Sequence, residues 1–330
     1  MRIRYPRNPH VTIAAALVLG AMALAFSPQH SRGEATGTIR MIVPLPPGGP
    51  ADTLARLVAE QIGLAHGPTI VVENRPGAST VIGTEAASHA APDGNTLLMT
   101  APAFLTTAHL RKVNYDPLSS FEPLCNLASS PLLTVVNSGS PYRTLGDLLA
   151  AAARAKPGEL TLAGTGPGSS TQVGFELLKR AANVDMTFVP YAGDAPAVTA
   201  LLGGHVASAW VNYQVAVEQV RAGKLRALAT PSRDRSDMLQ DVPTVGESGF
   251  KEVEIEFWNG VLAPANTPNE KVSQLVAMFS AAVHAPQLQK KLLARGFLPV
   301  GACGADFKAL LRNQFDGFGR IIREAHISTE

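Results

Sequence analysis

From Ile39 onward, short β-prone runs alternate with segments of helical spacing, and most junctions are loops rich in Gly and Pro. This alternation constrains the fold most, because a strand followed by a helix and another strand builds a mostly parallel sheet with helices on its faces. Ile39–Val43 reads as a buried strand, and after the loop Pro44–Pro50 the segment Asp52–Ala65 places Leu54, Leu57, Val58 and Ile62 at helical spacing. A second strand over Ile70–Glu73, a helix over Ser79–His89 and a third strand over Thr96–Thr100 follow, separated by the turns Asn74-Arg75-Pro76-Gly77 and Pro92-Asp93-Gly94.

The pattern starts afresh further on. Leu132–Val136 is β-rich, Leu145–Ala155 helical and Leu160–Ala163 a strand; then come a helix from Gly164–Ser170 to Ala182, a strand at Thr187–Val189 and a helix at Ala195–Leu202. Ala207–Val211, Val215–Ala222 and Leu225–Ala229 complete this unit as strand, helix and strand. Val253–Ala263 is β-prone, and helical stretches at Pro268–His284, Pro286–Arg295 and Ala305–Ala325 follow with no strand-rich remainder, so the C-terminus is expected to pack back on the first domain. The expected division is residues 36–132 plus 256–330 as one α/β domain and 133–255 as the other, with the hinge at the crossings near Ser130–Val135 and Glu252–Phe257. No short internal period points to a solenoid.

The first residues carry Arg2, Arg4 and Arg7 before an apolar run from Val11 to Phe26, which is signal-peptide grammar and too short for a spanning helix. Residues 1–35 are therefore expected to be cleaved on export to the periplasm. They hold four of the 28 basic side chains and one of the 26 acidic ones, so the mature chain of about 295 residues has a net charge of −1 rather than +2. A nearly neutral surface without a long Lys/Arg cluster argues against nucleic-acid binding, and the length exceeds a usual single core.

Cys125 and Cys303 are the two cysteines. One pair permits one disulfide in an exported protein, although the sequence does not show that they meet. His66, His89, His109, His205, His284 and His326 are scattered singly and are expected at the surface or at helix ends, so no metal site is predicted. The chain lacks His-Glu-x-x-His, Gly-x-Ser-x-Gly and Cys-x-x-Cys. Ser248-Gly249-Phe250-Lys251 matches Ser-x-x-Lys without the companion motifs of that chemistry. Catalysis is not expected.

Three strand-to-helix loops stand out instead. Pro46-Pro47-Gly48-Gly49-Pro50-Ala51-Asp52 lets backbone approach a ligand and presents helix N–H groups to an anion, yet it lacks the Gly-Lys-Ser/Thr ending of a nucleotide loop and dinucleotide spacing, so no cofactor is indicated. It also reads as an ordinary turn in which Asp52 caps or charges the helix. Gly164–Thr171 adds four hydroxyls, one of which must cap its helix. In Pro190–Pro196, Tyr191 covers a ligand or merely packs, and Asp194 caps a helix or meets a donor on the ligand, the cap being the favoured reading. Loops at the carboxyl ends of parallel strands are where open α/β sheets bind ligands.

Ile39–Pro44 leading into Pro46–Gly49, Val71–Ala78, Ala91–Gly94, Tyr115–Pro117, Val189–Tyr191, Ala195–Ala197, Leu202–Gly204, Ala222–Ala229, Asp241–Thr244 and Ala263–Pro264 together resemble, in order, the tripartite tricarboxylate transporter receptor family, or Bug-type receptors. The resemblance covers essentially the whole mature chain. It implies a periplasmic binding protein fold, type II-like: a clamshell of two α/β domains with central sheets and a ligand cleft between them. It further implies a monomeric solute-binding receptor that captures a small carboxylate-type molecule or its amide and delivers it to membrane permease subunits of a tripartite carrier.

Carried over by position, the ligand-binding residues are Pro47, Gly48, Gly49, Pro50, Ala51, Thr100 and Ala101 on one side and Thr165, Gly166, Ser169, Ser170, Tyr191, Ala192, Gly193 and Asn212 on the other. The chain departs from the family at Val211-Asn212, where Asp-Asn is common, at Thr100–Phe104, where Asn-Pro is missing, and at Asp194, where a small residue is usual. An amino acid is a less favoured ligand, since a buried ammonium needs an acidic partner and only Asp52 and Asp194 lie near these loops in sequence. A sensing receptor for a signalling system is the alternative function, and an exported hydrolase using Ser169 or Ser170 lacks a nearby base, His205 sitting at the wrong strand end.

Overall fold

The computed structural model describes residues 37–328 apart from 167 and 236; the expected signal peptide lies outside the described residues. Two sheets organise the chain. The first contains β1 (Ile39–Val43), β2 (Ile70–Asn74), β3 (Thr96–Thr100), β4 (Phe121–Ser129), β10 (Trp258–Pro264) and β11 (Leu298–Cys303), in the spatial order β11-β4-β10-β3-β1-β2. The second contains β5 (Leu132–Asn137), β6 (Thr161–Thr165), β7 (Thr187–Tyr191), β8 (Ser208–Asn212) and β9 (Leu225–Ala229), in the order β7-β6-β8-β5-β9.

The two sheets repeat one plan. In each, three parallel strands lie with the first in sequence between the second and third, and an antiparallel strand then joins the third to the fourth. That antiparallel strand is the first to form after the chain has crossed from the other sheet: β5 pairs β8 and β9, and β10 pairs β3 and β4. Each sheet is thus closed by a strand delivered across a crossing. This is the two-sheet α/β clamshell that the resemblance implies.

The helices cover both faces, which is why the parallel strands read as continuous apolar runs. Along β1, Ile39, Met41 and Val43 pack under α1 (Pro50–Leu64), α8 (Asn269–His284) and α9 (Pro286–Ala294), while Ile42 faces the opposite core. There it meets α2 (Val81–Ser88), α3 (Ala103–Leu110) and α10 (Ala305–Glu324), the last through Phe307, Leu311, Phe318 and Ile322. The same cluster continues into the second sheet through α4 (Leu145–Ala152), α5 (Ser170–Ala181) and Trp210. The other face of that sheet packs on α6 (Asp194–Leu202) and α7 (Tyr213–Arg221).

Three elements differ from the sequence expectation, the first being the β-prone run Val253–Ala263, which is a strand only from Trp258 to Pro264. Leu298–Cys303 is an edge strand on β4, although no strand was expected in the C-terminal region; Pro299 and Gly301 obscure its β pattern, and its register is irregular between Pro299 and Ala302. The strand carries Cys303 to a position directly opposite Cys125 on β4, and the two are joined by a disulfide. Ala103–Leu110 forms a helix that no capping side chain announces.

Candidate functional site

The helices that follow β1, β6, β7 and β8 all begin at one cavity of about 780 Å³, whose walls come from both sheets. The ladder of α1 starts when Thr53 N–H meets Gly49 O, so the N–H groups of Ala51 and Asp52 lie ahead of it. In α5 the first backbone bond is Val173 N–H to Ser169 O, and in α6 it is Ala197 N–H to Gly193 O. Ser170 and Ala195 therefore sit at helix starts on the cavity wall, as do Gln214 and Val215 of α7. Each start carries a partial positive charge. Four such ends face the same space.

The first loop is held from behind. Gly48, at φ 81°, adopts a left-handed turn that other residues disfavour, and its N–H donates to Asp52 Oδ2 at 2.9 Å. Arg56 Nε donates to the same oxygen at 3.1 Å, and Arg56 Nη2 lies 2.9 Å from Asp52 Oδ1. Arg56 Nη2 also donates to Asn74 Oδ1, while Asn74 Nδ2 donates to Leu45 O, both at 3.1 Å. The Asn74-Arg75-Pro76-Gly77 turn thus fastens the ligand loop. Burial pushes the Asp52 carboxyl up, but the donors from Arg56 and Gly48 outweigh it and hold the group below its ordinary value. Asp52 is a loop anchor.

The second loop is fastened by its own hydroxyls. Ser169 caps α5, its Oγ accepting from Gln172 N–H at 3.3 Å and lying 2.7 Å from Thr171 Oγ1, which in turn lies 3.2 Å from Thr165 Oγ1. Ser170 is buried at the wall.

Asp194 behaves differently from the cap that the sequence favours. It is the first residue of α6 and forms no capping bond; Oδ2 accepts from Asn212 Nδ2 at 2.6 Å and from Asn212 N–H at 3.4 Å. Burial drives its carboxyl above the ordinary value, against the opposing effect of the two Asn212 donors. Both Asp194 and Asn212 line the cavity.

Of the residues named from the sequence, Pro47, Gly48, Gly49, Pro50, Ala51 and Ala101 line one wall, and Thr165, Ser169, Ser170, Ala192, Gly193 and Asn212 the other. Three stand back from it. Thr100 is fully buried within β3 opposite Gly260; Gly166 spends its N–H on Tyr191 O at 2.8 Å; and Tyr191 packs against the apolar layer beneath α6 and α7. The sequence reading missed Gln214, Phe257 and the turn Leu293–Phe297, which close the cavity from the other end. Gln214 Nε2 donates to Ser130 Oγ at 2.8 Å and to Gly296 O at 3.1 Å, tying α7 to that turn. Gly296, at φ 78°, lies where any side chain would collide with the Tyr213 ring. A Gly after the α9 helix is the signal that was available, but it reads equally as a helix end.

Among the described residues no cluster of three His, Cys, Asp or Glu side chains is placed to hold a metal, and no helix is long and apolar enough to cross a membrane.

The comparisons with known proteins agree with this architecture. Protein BugT of Bordetella pertussis is 34% identical over 289 residues, covering 87% of this chain and 88% of that protein. Rpa4515 of R. palustris, solved with adipate, superposes with a TM-score of 0.81 at 30% identity, covering 89% of this chain and 99% of that one. MatC of Rhodopseudomonas palustris, solved with bound malate, gives a TM-score of 0.76 at 30% identity over 86% of this chain and 98% of that one. Residues 54–327 match the sequence profile of the tripartite tricarboxylate transporter family receptor, and the chain belongs to that family.

Proposed function

We propose that the mature protein is a monomeric, non-enzymatic periplasmic receptor that holds a small carboxylate or its amide in the cavity and hands it to the membrane permease subunits of a tripartite carrier. The observation that carries this reading is the convergence of four helix N-termini on one cavity. Each such end favours an anion by about 0.3–1 kcal/mol when exposed and up to about 2 kcal/mol when partly buried. Four of them together supply between about 1 and 8 kcal/mol toward holding an anion, before the cost of association, without a buried cation. The cationic wall residues, Arg221 and Arg295, are exposed, and Arg221 is paired with Glu218 at 3.0 Å.

The acids bound by Rpa4515 and MatC, adipate and malate, are of this chemical class. In our reading Pro47–Ala51 and Thr165–Ser170 are the principal grips, and the lobes are residues 36–132 plus 256–330 and 133–255, closing about the two crossings. Thermal-shift titration of the mature protein with mono- and dicarboxylates, their amides, sugars and amines tests the proposal. Stabilisation by acids or amides supports it; stabilisation only by ligands lacking both groups contradicts it.

A further inference from the structure

Three consecutive residues at the base of the first ligand loop are each held by one short stretch of chain, residues 74–83. Arg75 N–H donates to Val43 O at 2.8 Å, Asn74 Nδ2 donates to Leu45 O at 3.1 Å, and Gly83 of α2 packs on Pro44 between them. The last contact is backbone on backbone: a Cβ at Gly83 would lie 2.8 Å from Pro44 Cα and 2.7 Å from Arg75 O. Neither atom can swing aside as the end of a side chain can. Both ends of the stretch therefore meet each other and the loop base.

A left-handed turn brings them there. Gly77, Ala78, Ser79 and Thr80 follow one another at φ 136°, 47°, 54° and 82°. The last three carry side chains that disfavour this region, Thr80 most because it is β-branched. Such a run persists only where its surroundings over-determine it. Here Thr107 Oγ1 of α3 donates to Ser79 O at 2.8 Å, Val81 N–H donates to Ala78 O at 3.3 Å, and Thr80 is buried. The helix α3 in turn begins at the cavity wall, where Ala101 and Ala103 stand. The turn thus fastens together, from behind, two elements that form the wall.

We infer that Gly83 and the left-handed turn before it position the ligand loop, so that the geometry of the grip at Pro47–Ala51 is set by residues standing behind the cavity wall. This rests on the reading that Pro47–Ala51 grips the acid group of the ligand. Gly83 acts through Pro44, and any side chain there has to displace either α2 or the base of the loop.

The test is hydrogen exchange measured by NMR on the ligand-free mature protein, read at the Arg75 and Gly48 N–H groups, which donate to Val43 O and Asp52 Oδ2. Gly83→Ala is expected to speed exchange of both at least about tenfold and to weaken binding of adipate or malate at least about fivefold. Thr107→Val, which removes the bond to Ser79 O, is expected to give about threefold in each readout, and it decides the matter if Gly83→Ala does not fold. Leu148→Ala, a core truncation in α4, is the control: it lowers the melting temperature and leaves both exchange rates within about twofold. Unchanged exchange in Gly83→Ala, or in Thr107→Val where Gly83→Ala does not fold, overturns the inference, as does equal acceleration in Leu148→Ala. So does unchanged affinity of Gly83→Ala for an acid that binds the wild type. The exchange result needs no ligand, so failure of adipate and malate to bind removes the carboxylate reading alone.

Discussion

Ser130 donates its backbone N–H to the carbonyl of Phe257 at 2.7 Å, so the chain leaving the first sheet and the chain returning to it run side by side and are bonded to each other. Ser130 also receives Gln214 Nε2 through its hydroxyl, which puts the crossing in contact with a helix start at the cavity. The crossing and the cavity wall are thus joined through Ser130 and Gln214.

This arrangement predicts a hinge motion driven by the ligand. Saturating ligand is expected to reduce the radius of gyration measured by small-angle X-ray scattering. Gln214→Ala, which removes the bonds to Ser130 and Gly296, is expected to weaken binding by about 1 kcal/mol, roughly fivefold. A scattering curve that is unchanged at saturation counts against closure.

Ser170 and Thr165 contribute hydroxyls to the wall. Ser170→Ala and Thr165→Val are each expected to cost about 1–3 kcal/mol of affinity, roughly fivefold to 150-fold, with little effect on melting temperature. Thr165 is the more sensitive to fold effects, since its hydroxyl also meets Thr171 Oγ1. Unchanged affinity in both variants would place the grip elsewhere.

The alternation of strands and helices was legible because the parallel strands are covered on both faces and most strand-to-helix junctions carry Gly or Pro, the direct step from Asn212 into Tyr213 being the exception. Pro47–Ala51 could be found for the same reason. Residues that close the cavity from the far side were not legible: Gln214, Phe257 and Gly296 lie in different parts of the chain, and only the crossing of the two sheets brings them together. Asp194 was visible as a charge after Gly193, but a helix-start acid normally caps, and nothing local shows that Asn212, eighteen residues on, takes its oxygen instead. The edge strand Leu298–Cys303 lacked a β pattern, since Pro299 and Gly301 interrupt it from within.

Asp194 and Asp52 have opposite linkage to pH. The raised value of Asp194 means that the stability tied to its protonated form is complete below about pH 3.9 and is lost as pH rises through the folded value. Asp194→Asn is therefore expected to raise the melting temperature at pH 7 by about 2–4 °C, a gain that shrinks toward pH 4. The depressed value of Asp52 gives the reverse: its stabilisation is present above about pH 3.9 and is lost as pH falls through the folded value. Asp52→Asn is expected to cost about 1 kcal/mol at pH 7 and progressively less in acid. Melting curves from pH 3 to 8 decide both signs.

The Cys125–Cys303 bridge closes a loop with a sequence separation of 178 and fastens the edge strand to β4. Reduction, or a double Cys→Ser variant, is expected to lower stability by about 2–5 kcal/mol, measured by denaturant unfolding with and without reductant. Two titratable thiols in denatured, unreduced periplasmic protein would contradict the bridge.

If helix starts from both sheets hold the acid group of the ligand, a crystal structure of the protein with its tightest-binding small acid will show carboxylate oxygens within about 2.7–3.2 Å of N–H groups at the starts of α1 and α5, beside Ala51 and Ser170. A carboxylate paired instead with Arg221 or Arg295 at the rim, or a ligand outside this cavity, would contradict it.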